Sequence, residues 1–557
     1  MKFPRALYIA GFIILAIIAA YAFIYFFITA QIKKEIHDEL EKFWSENYNC
    51  PLEIEISKIS VNPFFNKISI DDIQIRSDIK DCSENTMGFT FLPEFAIKNI
   101  TIQLSRTAVL KVFGYEILPS ELVVNEIDLL IYQNRDSESD EQLTEEKNDK
   151  SDFPLRYLEI NNLNVQVLDV EDLKKVFEVT NLNFSADFSV SKEGVYLDDE
   201  SVISLSGEDI FFQIGESDYL FNSKKIEILN RGKELKVTNL SFNPYYDKIE
   251  YSGRLEYQDD HLDFTFDSII LFGFDYNKFL KDGELYLESL FVHGMKGNVY
   301  RDKNVPFDYT RRPKMPAQLV SSIPFDIKLD SLFVKDAFIQ YEEVAEGKAE
   351  PGVINFHNLN AVIDNLTNVF TDTADTNIMG IVASSDVFDE IFIKAKFKYD
   401  LSSSEGDFTV SGSAASFKFD VINPMLEPLS GIRITDGLVQ KCFFNIYGDN
   451  FASKGDFELY YDDVTFDISA ENMEGFIFFK RVLARLGNRL LIKGSNPDRR
   501  GNFKVGKIDF KRDQTKFIFN YWWKSLFTGI ESTMVSLNPT LKEFFPQYDV
   551  GSKDLQQ

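Results

Sequence analysis

A period of two limits the fold of this chain more than any other feature. Leu52, Ile54 and Ile56 alternate with Glu53, Glu55 and Ser57. Successive side chains of a strand point to opposite faces, so such a segment has one apolar side and one wet side. Ile68 and Ile70 keep the rule, Asp71-Asp72 shifts the phase by one residue, and Ile73 and Ile75 resume it. A slip of that kind marks a β-bulge or a tight turn. Similar strands are expected at 96–104, 115–132, 155–168, 176–190, 209–274 and from 325 to about 469. Alternation with one wet face belongs to antiparallel sheets.

Two echoes run through these strands. Residues 59–68 (ISVNPFFNKI) match 240–249 (LSFNPYYDKI), each reading as a strand, an Asn-Pro turn with two aromatics, and a further strand. An apolar-x-Asn-apolar cadence recurs at 97–100, 160–163, 179–182, 237–240 and 356–359. Repeats suggest strand units stacked along one axis, here with an irregular period.

Residues 7–30 contain neither a charge nor a proline. As a helix they would span roughly 36 Å, enough to cross a bilayer core. The run is longer than a signal-peptide core and ends in bulky Tyr25, Phe26, Phe27 and Ile28, which favours an uncleaved anchor. Ile32, Ile36, Leu40 and Phe43 or Trp44 recur at helical steps among charges. A juxtamembrane amphipathic helix is therefore expected over 31–50, ended by Pro51. The division read from the sequence is 1–30 cytoplasmic stub and anchor, 31–50 helix, 51–470 β-rich body, and 471–557 a basic C-terminal region with helices and closing strands.

The net charge of -29 makes nucleic acid a poor partner. Residues 134–152, rich in acids, read as a solvated disordered loop within the sheet. Between 480 and 524 there are 13 Lys/Arg against 3 Asp/Glu. Lys480, Arg481, Arg485 and Arg489 lie on a helical pattern over 476–492, and an aromatic helix is expected over 521–535. Two readings stand: helices closing the end of the sheet, or a basic surface meeting anionic headgroups or a protein partner. Residues 303–319, with three prolines and four basic residues, read as an extended loop, and 406–416, small and polar, as a turn-rich edge.

The cysteines are Cys50, Cys82 and Cys442. Cys50 and Cys82 are either a disulfide in an oxidising compartment or two free thiols. No metal-ligand spacing, nucleophile motif or phosphate loop is present, so no catalytic residue, metal or cofactor is expected. Carboxylates are abundant, which keeps a glycosidase-like pair as a minor alternative, but they lie on strands opposite the apolar residues, as a solvated face requires.

The anchor over 7–30, the helix after it, the strands over 52–75 and the closing stretch FNYWWKSL (519–526) resemble the AsmA-like family of Gram-negative envelope proteins. The section from Val299-Tyr300-Arg301-Asp302-Lys303 to Tyr341-Glu342-Glu343 is similar to Bacteroidetes-type members. Asn49-Cys50-Pro51 stands where the family often has Thr-Gly before its first strand. The resemblance implies a single-pass inner-membrane protein with its N-terminus in the cytoplasm and its bulk in the periplasm. It implies a non-enzymatic role in moving phospholipids toward the outer membrane along an apolar β-groove. The expected fold is thus mainly β: one transmembrane helix, then a long, mostly antiparallel sheet curved into an elongated groove, with amphipathic helices near both ends. Some 30 strands at ~4.8 Å spacing would curl or split as a flat sheet. The candidate groove lining is Ile54, Ile56, Ile68, Ile70, Phe325, Ile327 and Leu329. Closed β-sandwiches satisfy the same period. The alternative function is an envelope scaffold or assembly factor for outer-membrane proteins that conducts no lipid.

Overall fold

A computed structural model describes residues 53–62, 64, 66–76, 91–104, 119–133, 155–169, 174–191, 194–196, 203–213, 218–229, 233–274, 279, 283–370, 377–468 and 491–536, with scattered residues between 22 and 42. The chain is mainly β and its strands are mostly antiparallel, as the alternation predicts. It divides into two units, 1–238 and 239–557.

In the first unit the strands are β1 (Glu53–Val61), β2 (Lys67–Arg76), β3 (Phe91–Leu104), β4 (Pro119–Gln133), β5 (Tyr157–Asp169), β6 (Lys175–Asp187), β7 (Ile203–Gln213) and β8 (Tyr219–Leu229). Each pairs with the next and all pairs but one are antiparallel. The exception, β4 with β5, is parallel. Parallel neighbours need a crossover of a dozen or more residues. The acidic run 134–152 falls in that connection.

Strand β9 (Glu234–Pro244) runs across the division. The second unit continues with helix α1 (Lys248–Arg254), β10 (His261–Phe272), β11 (Leu285–His293), β12 (Lys296–Asp302), α2 (Pro316–Ser321), β13 (Ile327–Val344), β14 (Pro351–Thr367), β15 (Ile378–Val387), β16 (Ile391–Asp400), β17 (Phe408–Ala414), α3 (Asn423–Ser430), β18 (Ile432–Gly448), β19 (Ala452–Ile468), β20 (Gly506–Lys511) and α4 (Ile518–Met534). Strand β10 pairs through one half with β11 and through the other with β12, and both of these run parallel to β13. From β13 to β20 every neighbour is antiparallel.

Helices cover part of this unit's apolar face. On α4, Ile518, Tyr521, Ser525, Gly529 and Thr533 recur at helical steps and are buried against β19 and β20. The Ser525 and Ser453 hydroxyls meet at 2.7 Å. A Cβ on Gly529 would lie 2.6 Å from Phe457 Cβ, so the close approach of helix to sheet depends on glycine there. Tyr399, Val439, Ile446 and Tyr461, all under 2% exposed, fill the core beneath. The aromatic helix expected over 521–535 is thus present as α4, which packs on β19 and β20.

Several expectations are corrected. The turn over 240–249 is followed by a helix, not a strand. Where the first copy has Asn66, this copy has Asp247, whose carboxylate accepts the Ile249 and Glu250 amides at 2.9 and 3.0 Å and caps α1. The residues 406–416 are no edge: β17 pairs on both sides, with β16 and β18. Their small size answers crowding, since a Cβ on Gly412 would lie 2.3 Å from Phe444 Cζ and 2.7 Å from the Lys394 carbonyl. The loop over 303–319 ends in α2, with Pro316 opening the helix. Phe325 precedes β13 and is 43% exposed.

Other expectations fall outside the described residues: Cys50, Cys82, Lys480, Arg481, Arg485, Arg489 and the run 134–152. Of 7–30, residues 22, 23, 25–27, 29 and 30 are described, and all are helical. Among the described residues no helix is long and apolar enough to cross a membrane.

Candidate functional site

The apolar residues of the first unit fall into transverse rows. Ile56, Ile73, Ile97, Ile127, Leu163 and Leu182 are register partners across β1 to β6. So are Ile59, Ile70, Ile100, Val124, Ile160 and Phe184. Directly paired residues share a face of the sheet. Within β1 to β5, however, the two rows are three residues apart (Ile56 to Ile59, Ile70 to Ile73, Ile97 to Ile100), which in a regular strand would put them on opposite faces.

One unpaired residue per strand reconciles these facts. Ser57, Asp72, Lys98, Glu126 and Asn162 drop out of the ladder at the same level, and Asn181 and Asp209 mark the irregular sites on β6 and β7. Asp72, Glu126, Asn162, Asn181 and Asp209 have φ between 45° and 56°. This left-handed conformation is tolerated best, outside glycine, by Asn and Asp. Each absorbs the odd residue, so the apolar face keeps its side through the whole strand.

Polar side chains hold this row. Asn99 Nδ2 donates to Asp71 Oδ1 at 2.7 Å, Asn125 Nδ2 to Asn99 Oδ1 at 3.3 Å, and Asn161 Nδ2 to Asn125 Oδ1 at 3.0 Å. Lys98 and Glu126 are joined at 2.5 Å. The Glu126 carboxylate, through its hydrogen bond and its charge, raises the Lys98 ammonium above its ordinary value. The second unit repeats the device: Asp336 and Asn358 have φ of 52° and 49°, and Asn360 Oδ1 accepts the Asp336 amide at 3.3 Å.

Ile54, Ile56, Ile68 and Ile70 come together on the apolar face of the first unit, and Tyr25 packs on the same cluster. Ile70 is 2% exposed and Ile68 8%, whereas Ile54 and Ile56 are half-buried. A concavity of about 410 Å³ has a mixed lining, with Phe95, Leu129 and Val165 beside Arg76, Asp128 and Glu178. Ile327 and Leu329 pair with Leu285 and Leu287 in the second unit, half-buried and buried respectively. The left-handed Asn/Asp row was not read from the sequence as such, although the apolar-x-Asn-apolar cadence is its trace.

Among the described residues no cluster of side chains fits a metal ion. No protein-family model matches the chain, and no curated protein matches it.

Proposed function

We propose that this protein is a membrane-anchored envelope lipid carrier of the AsmA-like type. It guides phospholipid acyl chains between the inner and outer membrane and performs no chemistry of its own. On this reading residues 7–30 hold it in the bacterial inner membrane and the β-rich body lies in the periplasm. The observation that supports the proposal is the transverse line of left-handed residues on β2, β4, β5, β6 and β7, which goes with apolar residues keeping to one face along whole strands. A left-handed residue turns the local backbone out of the flat pleat without shifting register between β1 and β5, and a line of such turns supports a trough more than a flat layer. An aliphatic wall attracts acyl chains without directed contacts, so a lipid held there is free to slide.

The test is lipid extraction and native mass spectrometry of the full chain purified in an uncharged detergent. Bound phospholipid, reduced by Ile54→Lys, is the expected result. An empty body that carries no lipid overturns the proposal.

The scaffold reading rests on α4. Its outer side leaves Phe519 67% and Trp523 53% exposed. Exposed aromatics of this kind anchor protein interfaces. Cross-linking from position 523 to an envelope protein, with no lipid bound, would favour it.

A further inference from the structure

Strand β16 sorts its side chains sharply. Ile391, Ile393, Ala395, Phe397 and Tyr399 share one face, and Phe397 and Tyr399 pack in the core of the second unit. The Trp522 ring of α4 lies 4.9 Å from the Phe397 ring, so the helix covers that same face. The alternate residues Phe392, Lys394, Lys396 and Lys398 point the other way, and all four are exposed. Successive members of such a row stand about 6.8 Å apart.

The neighbours of the three lysines in the sheet carry no charge. Lys394, Lys396 and Lys398 pair with Ser384, Val382 and Gly380 on β15 and with Ser413, Ser411 and Thr409 on β17. The β17 residues pair in turn with Phe443, Asn445 and Tyr447 on β18, and Tyr447 pairs with Lys454 on β19. Paired residues share a face, so lysines and bulky apolar side chains are interleaved on one surface. Those apolar side chains are open to solvent: Val382 is 49% exposed, Phe392 42%, Phe443 43% and Tyr447 54%. The Lys441 ammonium, at the margin of the same surface, stands 4.4 Å from the centre of the Tyr460 ring and 5.8 Å from that of Phe443.

Carboxylates rim the lysine row, and each already holds a group of the protein. Asp386 accepts the Asn358 side-chain amide at 2.8 Å, Asp364 the Ser331 hydroxyl at 3.0 Å, and Asp400 the Ser402 hydroxyl at 2.6 Å. Asp456 is paired with Lys507 at 2.5 Å, and Glu458 accepts the Tyr460 hydroxyl at 3.4 Å. The backbone offers a partner nothing here, since β15, β16 and β17 are each paired on both sides. A peptide therefore cannot add as a strand at this place. Side chains alone make the surface, and they combine separate positive charges with exposed aromatic rings. That combination fits a planar array of anionic headgroups, which attracts the ammonium groups and takes rings in between.

We propose that this face of the second unit docks on the surface of an anionic lipid bilayer. Lys394, Lys396 and Lys398 meet the headgroups, and Phe392, Phe443 and Tyr447 enter between them. The docking face lies opposite α4 and does not depend on lipid being carried along the first unit.

The experiment holds the full chain in single-copy discs of phosphatidylcholine, so that the anchor expected over 7–30 is already in lipid. The discs are mixed with vesicles of phosphatidylcholine alone, or of phosphatidylcholine and phosphatidylglycerol in equal parts, and flotation of the protein is measured. Wild type should float with the anionic vesicles only, and high salt should release it. The triple variant Lys394→Gln, Lys396→Gln, Lys398→Gln should bind about a hundredfold more weakly, through the loss of three headgroup-facing charges. The control Lys58→Gln, Lys67→Gln, Lys224→Gln removes as much charge from exposed positions of the first unit and should bind like wild type. Equal flotation with both vesicles, or binding that high salt leaves intact, overturns the anionic surface without recourse to any variant. Equal losses in the two triple variants overturn the assignment to this face, as does a β16 triple variant that binds like wild type. A face that binds a glutamate-rich peptide through these lysines but no vesicle overturns the bilayer and assigns an acidic protein instead.

Discussion

Asn162 and Asn183 stand on the neighbouring strands β5 and β6, and the Asn162 amide, freed from the ladder by its left-handed turn, donates to Asn183 Oδ1 at 3.0 Å. The relation is returned: the Asn181 amide donates to Asn164 Oδ1 at 2.9 Å. In each strand the motif is Asn-Leu-Asn, where the first Asn turns and the second satisfies the turn next door. An unpaired amide at a bulge would otherwise lose a hydrogen bond. Asn358-Leu359-Asn360 does the same for Asp336 in the second unit.

Asn162→Val should therefore destabilise more than Asn162→Gly. A β-branched side chain in the left-handed region costs roughly 1–2 kcal/mol, a strain glycine does not meet. Urea unfolding of the two variants checks this, and equal losses would mean that the side chain and not the backbone sets the requirement.

The two ends of the isoleucine rows should respond differently. Ile70 is 2% exposed, so Ile70→Ala should cost about 2–5 kcal/mol by removing buried methyl groups. Ile54 is half-buried, and Ile54→Lys has room to turn its ammonium to water. Its melting temperature should stay near wild type while the amount of co-purified phospholipid falls. A collapse of folding in Ile54→Lys would show the face to be a sealed core.

The alternation around Ile54 and Ile70 was readable because it depends only on the two-residue repeat of a strand. The slip at Asp71-Asp72 was readable for the same reason. That the slips line up from Asp72 to Asp209 was not, because register between strands is set by pairing over distances that one sequence does not display. The approach of Lys516 to Arg301 and Lys303 was hidden likewise. They lie more than two hundred residues before it, and the turn between β20 and α4 brings its ammonium near their charges. Gly406 to Ser416 misled through composition, since small residues serve turns and crowded strands alike.

Gly412 supplies a check on that last point. A methyl group there meets the Phe444 ring at 2.3 Å and the Lys394 carbonyl at 2.7 Å, and the backbone has no room to yield between two paired strands. Gly412→Ala should lower the melting temperature, and Phe444→Leu in the same chain should restore part of the loss. Gly253, with nothing within 4 Å of its added Cβ, is the control that should tolerate alanine.

Cys442 should be inert in the folded chain. It is 7% exposed, and burial raises its thiol to about 12, so little thiolate forms at neutral pH. In a chain carrying Cys50→Ser and Cys82→Ser, a thiol reagent should label it only as urea unfolds the protein, and the labelling midpoint should track loss of circular dichroism. Fast labelling without denaturant would mean that the core beneath α4 opens in the native state.

Lys516 gives stability a pH dependence whose sign follows from its position. Its ordinary value is 10.5, and burial with the charges of Lys303 and Arg301 lowers it to about 8 in the folded chain. Between these values the unfolded chain binds a proton that the folded chain has released, so this group's contribution makes stability rise with pH across that window. Below about 8 both states are protonated and the contribution is constant, at its least favourable. Lys516→Met should remove the rise, so that urea midpoints at about pH 7.5 and about pH 9.5 move closer together than in wild type. If Lys516→Met leaves the pH slope between those two values unchanged, Lys516 is not the group that titrates there, and the burial argued for its ammonium is wrong.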